Sequence, residues 1–395
     1  MTAAVLDLGG LGLDSGAHLL LQRALAPLRP GDRLTVHGHH PALAVHLPAW
    51  CRAEGHRVEP PDGGGSVVVR GTGRDGRWLG ATRAGTGSRG VVVDHPPARW
   101  GLAPRGALVE EGGPEPHFDL DDRRLVWAEV APRLYAHAAA RQWDPATAVA
   151  WDEPFHLPDD VEAAVVQVMT YLVENEQAAL IVPARFLGRI HPHFREVVQL
   201  LAVQVADEAR HMEIFNRRAL LRGGPLGSSS AGGRASLFTL VEESDFALAS
   251  FLLSVLGEGS FVDLLAFLER YAPDPVTRRV AWLAMQDERR HVLFGVAHLE
   301  EQAAVDPGLG SRLRAAVERR HDALRDTAGL NNDVFDALVM VAAGSWEPEA
   351  IETGYRRVQR LERAMDEGRR RRLERLGFSA GEAAELSALH TRNFM

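Results

Sequence analysis

Asp207-Glu208-Ala209-Arg210-His211 and Asp287-Glu288-Arg289-Arg290-His291 are two copies of one pentad, Asp-Glu-x-Arg-His. Each follows a solitary glutamate: Glu176 stands 32 residues before Glu208, and Glu258 stands 30 residues before Glu288. From Asp159 onward apolar residues recur with a period near that of an α-helix, so both copies lie on helices. A repeat of this kind predicts two matching helix hairpins. In an antiparallel hairpin, residues at one depth are equally far in sequence from the turn. The midpoint of Glu176 and Glu208 is Pro192, in His191-Pro192-His193. The midpoint of Glu258 and Glu288 is Pro273, in Tyr271-Ala272-Pro273-Asp274-Pro275. Both are prolyl turn signals. At about 1.5 Å per residue, each carboxylate then lies about 22–24 Å from its turn, and all four can share a layer. Pro183, inside the first helix, predicts a local kink.

Burial points the same way. Glu176 shares its face with Met169, Leu172, Ala179 and Leu180; Glu258 with Phe251, Val255, Phe261 and Leu265; Glu208 with Leu201, Val205, Met212 and Phe215. Carboxylates on apolar stripes are costly if ionised and unpaired, and four facing one another repel. Two divalent cations would cancel the four charges and leave the imidazoles neutral. Glu174 is the rival to Glu176, but its face carries Gln167, Thr170 and Gln177. The expected metal ligands, which are also the expected catalytic residues, are therefore Glu176, Glu208, His211, Glu258, Glu288 and His291. Within each Glu-x-x-His the two side chains share a helix face. Asp207 and Asp287 stand four residues before His211 and His291. Each is expected to take the N–H of the histidine on its own helix, with Arg210 and Arg290 neutralising the aspartates.

The doubled pentad, with Asn175-Glu176-Gln177-Ala178-Ala179, resembles the ferritin-like non-haem di-iron carboxylate superfamily over roughly residues 159–303. In style it is similar to bacterial multicomponent monooxygenase hydroxylases and p-aminobenzoate N-oxygenases. The resemblance implies an all-α four-helix bundle and O2 activation at two iron ions, with Mn/Fe as the variant. Three positions depart from those relatives. Phe215 stands where ribonucleotide reductase small subunits carry a radical tyrosine. Ala284 stands where the N-oxygenases add a histidine, and Val262 where the hydroxylases have a threonine.

The first 75 residues read differently. Strands are expected at Ala4–Leu8, Arg33–His37 and Ser66–Val69, and helices at Ser15–Leu28 and Ala42–Glu54. Leu6-Asp7-Leu8-Gly9-Gly10-Leu11, Pro30-Gly31-Asp32, Pro48-Ala49-Trp50-Cys51 and Gly55-His56 resemble the TusA family of sulfur carriers. That family works through a Cys-Pro-x-Pro motif, and here its place is taken by Leu13-Asp14-Ser15-Gly16. The nucleophile is absent, so a degenerate TusA-like domain without sulfur transfer is expected. Cys51, the single cysteine, reads as a packing residue. His37, His39 and His40 read as a surface cluster, with no carboxylate or cysteine at ligand spacing.

The whole is thus expected to be α+β. A TusA-like α/β domain (1–75) and a Gly/Pro/Arg-rich linker or extension (76–120), with a strand at Val91–Val93, precede a ferritin-like bundle (121–303). Helical sequence resumes at Asp121–Gln142, Arg222–Arg234 joins the bundle halves, and further helices follow in 304–395. Every basic side chain is arginine, which excludes Schiff-base and P-loop lysines. One cysteine excludes disulfides within the chain and cysteine-ligated clusters. A net charge of −9 argues against nucleic acid and anionic membranes. Met1–Gly10 lacks a secretory pattern, and no stretch reads as a membrane span, so a cytoplasmic location is expected.

The expected function is an oxidoreductase, an oxidase or oxygenase, using O2 on a small organic substrate. It would draw on an electron-donor protein. Ala281, Ala284 and Gly295 are candidates to open a cavity beside Glu288. The alternatives are ferroxidase or peroxide scavenging, and a scaffold with a structural two-metal site whose first domain binds a partner protein.

Overall fold

Short apolar runs ahead of Val69 and long helical periods from Asp159 onward separate the chain into two kinds of structure. The computed structural model describes residues 4–59, 64–73, 75–86, 91–325 and 332–391. One unit takes in Met1–Val91 and Arg105–Glu115, the other Val92–Pro104 and Pro116–Met395.

In the first unit the order is β1 (Ala4–Asp7), α1 (Ala17–Leu25), β2 (Arg33–His37), α2 (Leu43–Ala53), β3 (Arg57–Glu59) and β4 (Ser66–Val69). The sheet order is β1-β2-β4-β3. β1 is parallel to β2, and β4 is antiparallel to both its neighbours. The helices bury residues at i, i+4 spacing, Ala17, Leu21 and Leu25 on α1 and Leu43, Leu47 and Cys51 on α2. They cover Leu34, Val36 and Val68. Gly55, at φ +75°, ends α2; a Cβ there would strike the Gly73 backbone. A two-residue ribbon, β5 (Thr82–Arg83) with β6 (Leu108–Val109), completes the unit. Val91–Val93 is not a strand: Val91 makes an isolated bridge to Thr86.

Cys51 is fully buried, and burial pushes its thiol up to about 12. The thiolate is the nucleophile, so Cys51 is expected to be inert to iodoacetamide at pH 8 in the folded protein and to react on unfolding. Rapid alkylation without denaturant would contradict this packing.

In the second unit α3 (Arg123–Val126) and α4 (Ala131–Ala139) replace the single helical stretch expected at 121–142. Trp127 takes an extended conformation between them. Then come α5 (Asp159–Leu187), α6 (Arg195–Ala219), α7 (Ala231–Val241) and α8 (Phe246–Ser250). A π-helix, Phe251–Glu258, leads into α9 (Gly259–Tyr271), followed by α10 (Pro275–Ala303). α11 (Leu309–Leu324), α12 (Asn332–Ala343), α13 (Pro348–Arg375) and α14 (Ala380–Thr391) follow. α5 runs without interruption through Pro183. The α5–α6 turn is built on a short 3-10 turn, Pro192–Phe194. At the other hairpin Asp274 caps α10 by accepting the Thr277 N–H at 2.8 Å. One apolar core runs from Leu120 to Leu386, so the C-terminal helices share it with the bundle.

One expectation is corrected here. Phe246–Tyr271 is a helical stretch long and apolar enough, by length and composition, to cross a membrane; 78% of its most apolar window is buried inside the protein.

Candidate metal centre

Glu176 on α5, Glu208 and His211 on α6, Glu258 at the end of the π-helix, and Glu288 and His291 on α10 converge in the core of the second unit. Each is at most 4% exposed. Their ligand atoms fall into two sets, each within 4.8 Å of one another: Glu176, Glu208, His211 and Glu288, and Glu208, Glu258, Glu288 and His291. Glu208 and Glu288 belong to both. Glu174 lies outside the cluster and accepts a hydrogen bond from Ser229 Oγ.

Both imidazoles turn Nδ1 toward the carboxylates. His211 Nδ1 lies 3.0 Å from Glu208 Oε2, 3.2 Å from Glu288 Oε1 and 3.7 Å from Glu176 Oε2. His291 Nδ1 lies 3.0 Å from Glu208 Oε1 and 3.4 Å from Glu288 Oε2. Yet His291 Nδ1, Glu176 Oε1, Glu208 Oε1, Glu258 Oε2 and Glu288 Oε2 are buried without a hydrogen-bond partner among the described residues. His211 Nδ1 is hydrogen-bonded to Glu208 Oε2, but around His291 Nδ1 the close approach makes no hydrogen bond, and the unpartnered atoms turn their lone pairs into a common space. Four carboxylates and two imidazoles aimed inward are the donor set of a two-metal carboxylate site.

The electrostatics agree. Burial, and then the neighbouring Glu208 and Glu288, push Glu176 far above the usual carboxylate range. Burial, and then Glu288, do the same to Glu258. Burial also opposes charge on His211, but hydrogen bonds to Asp287 and to the three carboxylates outweigh it and raise it well above its ordinary value. Burial and like charge thus oppose ionised Glu176 and Glu258 here, an opposition that bound cations would relieve. Gln204 Nε2 donates to Glu258 Oε1 at 3.0 Å and fixes that carboxylate's orientation.

The outer partners are exchanged between hairpins. His211 Nε2 pairs with Asp287 Oδ2 at 3.2 Å, and His291 Nε2 with Asp207 Oδ2 at 3.1 Å. This corrects the expectation that each aspartate serves the histidine of its own helix. Cβ vectors at i and i+4 stack along one face, but here the histidines point inward and meet the facing helix first. Arg210 does pair with Asp207 and Arg290 with Asp287, and each also reaches across, Arg290 to Asp207 at 3.3 Å and Arg210 to Asp287 at 3.5 Å. Two residues that the sequence reading missed join this layer. Trp143 Nε1 donates to Asp287 Oδ2 at 2.8 Å, and Gln142 Nε2 to Asp207 Oδ1 at 3.2 Å. They lie 65 or more positions from their partners, beyond any helical spacing rule.

Asp207→Asn is therefore expected to disturb the His291 end of the centre, lowering metal affinity there about 10–100-fold. Ring nitrogen NMR of the metal-free protein should show the His291 signals moving. If the His211 ring responds instead, the exchanged pairing is wrong.

A cavity of ≈ 30 Å³ adjoins Glu176, Glu258 and Glu288, walled by Ala179, Leu237, Leu240, Leu253, Gly257 and Phe261. Ala281, Ala284 and Gly295 do not supply its wall as expected; Gly295 instead packs against Ser254 of the π-helix.

No family model and no curated protein matches the chain. Among solved structures, it is similar to R2-like ligand-binding oxidases. One variant with an aerobically reconstituted Mn/Fe cofactor shows 16% identity over 64% of this chain and 95% of that one, at a TM-score of 0.49. One with an Fe/Fe cofactor shows 18% identity over 64% and 95%, at 0.47. A third, with its metal cofactor after photoconversion, shows 18% over 68% and 93%, at 0.43. These are likenesses at low identity, and the metal centre is read from its side chains alone.

Proposed function

We propose that this chain is a non-haem di-iron oxidase or oxygenase that uses O2 on a small organic substrate. The carrying observation is the pair of overlapping ligand sets that share Glu208 and Glu288. In this reading Glu176, Glu208, His211 and Glu288 would hold one ion, and Glu208, Glu258, Glu288 and His291 would hold the other. Two iron ions, or a Mn/Fe pair, supply the redox chemistry with O2 that protein side chains lack.

The chain's own residues do the rest. Asp207 and Asp287 keep each histidine's proton on Nε2, leaving Nδ1 as the donor atom. Leu237, Leu240, Leu253 and Phe261 keep water from the open side. The cavity holds about two water-sized molecules, so a larger substrate needs its wall to move. An apolar wall favours a neutral organic group over an incoming ferrous ion, which sets this reading ahead of iron storage. Reducing equivalents come from an electron-donor protein. The first unit, read as a TusA-like domain without the motif cysteine, serves as a docking domain for a partner protein.

The test is to load the metal-free protein anaerobically with Fe(II), confirm two ions per chain, and admit O2. An oxidised di-iron absorption is expected to appear within the first turnover. Its absence, with two irons bound, would sink the oxidase reading.

A further inference from the structure

Val255, in the π-helix, has a carbonyl that the Gly259 N–H passes over. That N–H reaches back five residues to Ser254 O, whereas α-helical spacing would take it to Val255 O. The Val255 oxygen accepts instead from Arg372 Nε of α13, at 2.6 Å. The guanidinium fills the place where a Cβ on Gly259 would stand, and lies beside Gly368 of its own helix. Arg372 belongs to the C-terminal helices, outside the elements that supply the six convergent side chains.

This contact bears on the metal centre through helix register. A π-helical turn is rare because it misaligns backbone groups, and it persists where other partners satisfy them. Relaxing the segment to α spacing would remove one residue of register. One side of the helix would then rotate by about 100° relative to the other. Glu258 is the last residue of the π segment. Such a rotation would carry it off the face it shares with Glu208, Glu288 and His291. Leu253 and Gly257, two walls of the cavity, belong to the same segment.

We propose that Arg372 is a positioning residue: by satisfying the Val255 carbonyl it holds the π register, and with it Glu258 and one end of the metal centre. The inference rests on the metal reading of the six residues. It also gives the C-terminal helices a part in the centre.

The test uses the full chain with Co(II) as the probe, following metal content and the visible absorption that reports coordination. Wild type is expected to bind two Co(II). Arg372→Ala should keep one site and lose about tenfold or more in affinity at the other, with that site's absorption changed. Arg372→Lys, which retains a donor and a charge, should restore most of the loss. Gly259→Ala should reproduce the Arg372→Ala phenotype, because its Cβ displaces the guanidinium, and should add nothing in the Arg372→Ala background. Arg371→Ala, an exposed neighbour (71% side-chain exposure), is the control and should match wild type. If Arg372→Ala does not fold, Gly259→Ala and Arg372→Lys decide the matter. Unchanged affinity and absorption in Arg372→Ala, or in Gly259→Ala, would overturn this proposal alone. A wild type that binds no Co(II) would overturn it together with the metal reading.

Discussion

Glu208→Ala is expected to strip both halves of the centre at once. Glu208 belongs to both ligand sets, is fully buried, and faces Nδ1 of both histidines at 3.0 Å. Removing it takes one ligand from each ion. It also leaves two buried imidazoles without the carboxylate they face, the one that His291 and His211 hold far below its usual range against the effect of burial. The loss of an outer partner costs about 10–100-fold in metal affinity, so the loss of a shared direct ligand should cost more than about 100-fold at both positions. Glu176→Ala is the informative comparison. Glu176 belongs to one set only, so the other set, Glu208, Glu258, Glu288 and His291, stays whole. Iron or cobalt content per chain, measured at concentrations that saturate wild type, should fall to near zero in the first variant and to about one ion in the second. Two ions retained in Glu208→Ala would show that Glu208 does not serve both sets.

The convergence of six side chains was legible because it depends on two things a sequence displays, spacing and face. Equal distances from Pro192 and Pro273 put the glutamates in one layer, and apolar neighbours turned them inward. The exchanged aspartates were not legible. Asp207 is as far from His211 in sequence as any helical partner, and only the rotation of α6 against α10 shows that His291 is nearer. The π-helix was hidden for a related reason. Phe251–Glu258 is apolar nearly all round, so its pattern fits a helix of either pitch, and the register is set by Arg372, more than a hundred residues away. β3 escaped because Arg57-Val58-Glu59 offers one apolar residue where a strand signal needs alternation. The same uniform apolarity makes Phe246–Tyr271 pass as a membrane span by composition, while its neighbours bury most of it.

Arg218→Leu is expected to destabilise the second unit strongly while leaving the six convergent side chains in place. Arg218, near the end of α6, is fully buried. It pairs with Glu162 in the first turn of α5 at 2.7 Å and with Asp274, the cap of α10, at 2.9 Å, and its Nε donates to Thr277 Oγ1 at 2.8 Å. Three helices of the bundle are thus tied at one end through a single guanidinium. Removing it leaves Asp274 buried and unpaired, a change that costs about 3–5 kcal/mol. For a unit of this size that corresponds to a fall in Tm of roughly 5–8 °C. The site is about 15 Å along α6 from Glu208, so the stoichiometry of metal binding should survive while stability falls. The origin of the loss can be separated from lost packing by a second substitution. Asn is as good a helix cap as Asp, so Asp274→Asn removes the stranded charge without losing the cap on α10. In the Arg218→Leu background it should recover part of the loss; in wild type it should destabilise, by breaking the pair from the other side. Calorimetry of the metal-free proteins measures all four states. A fall below about 1 kcal/mol in Arg218→Leu, or no recovery on adding Asp274→Asn, would mean that the ion pair does not hold these three helix ends together.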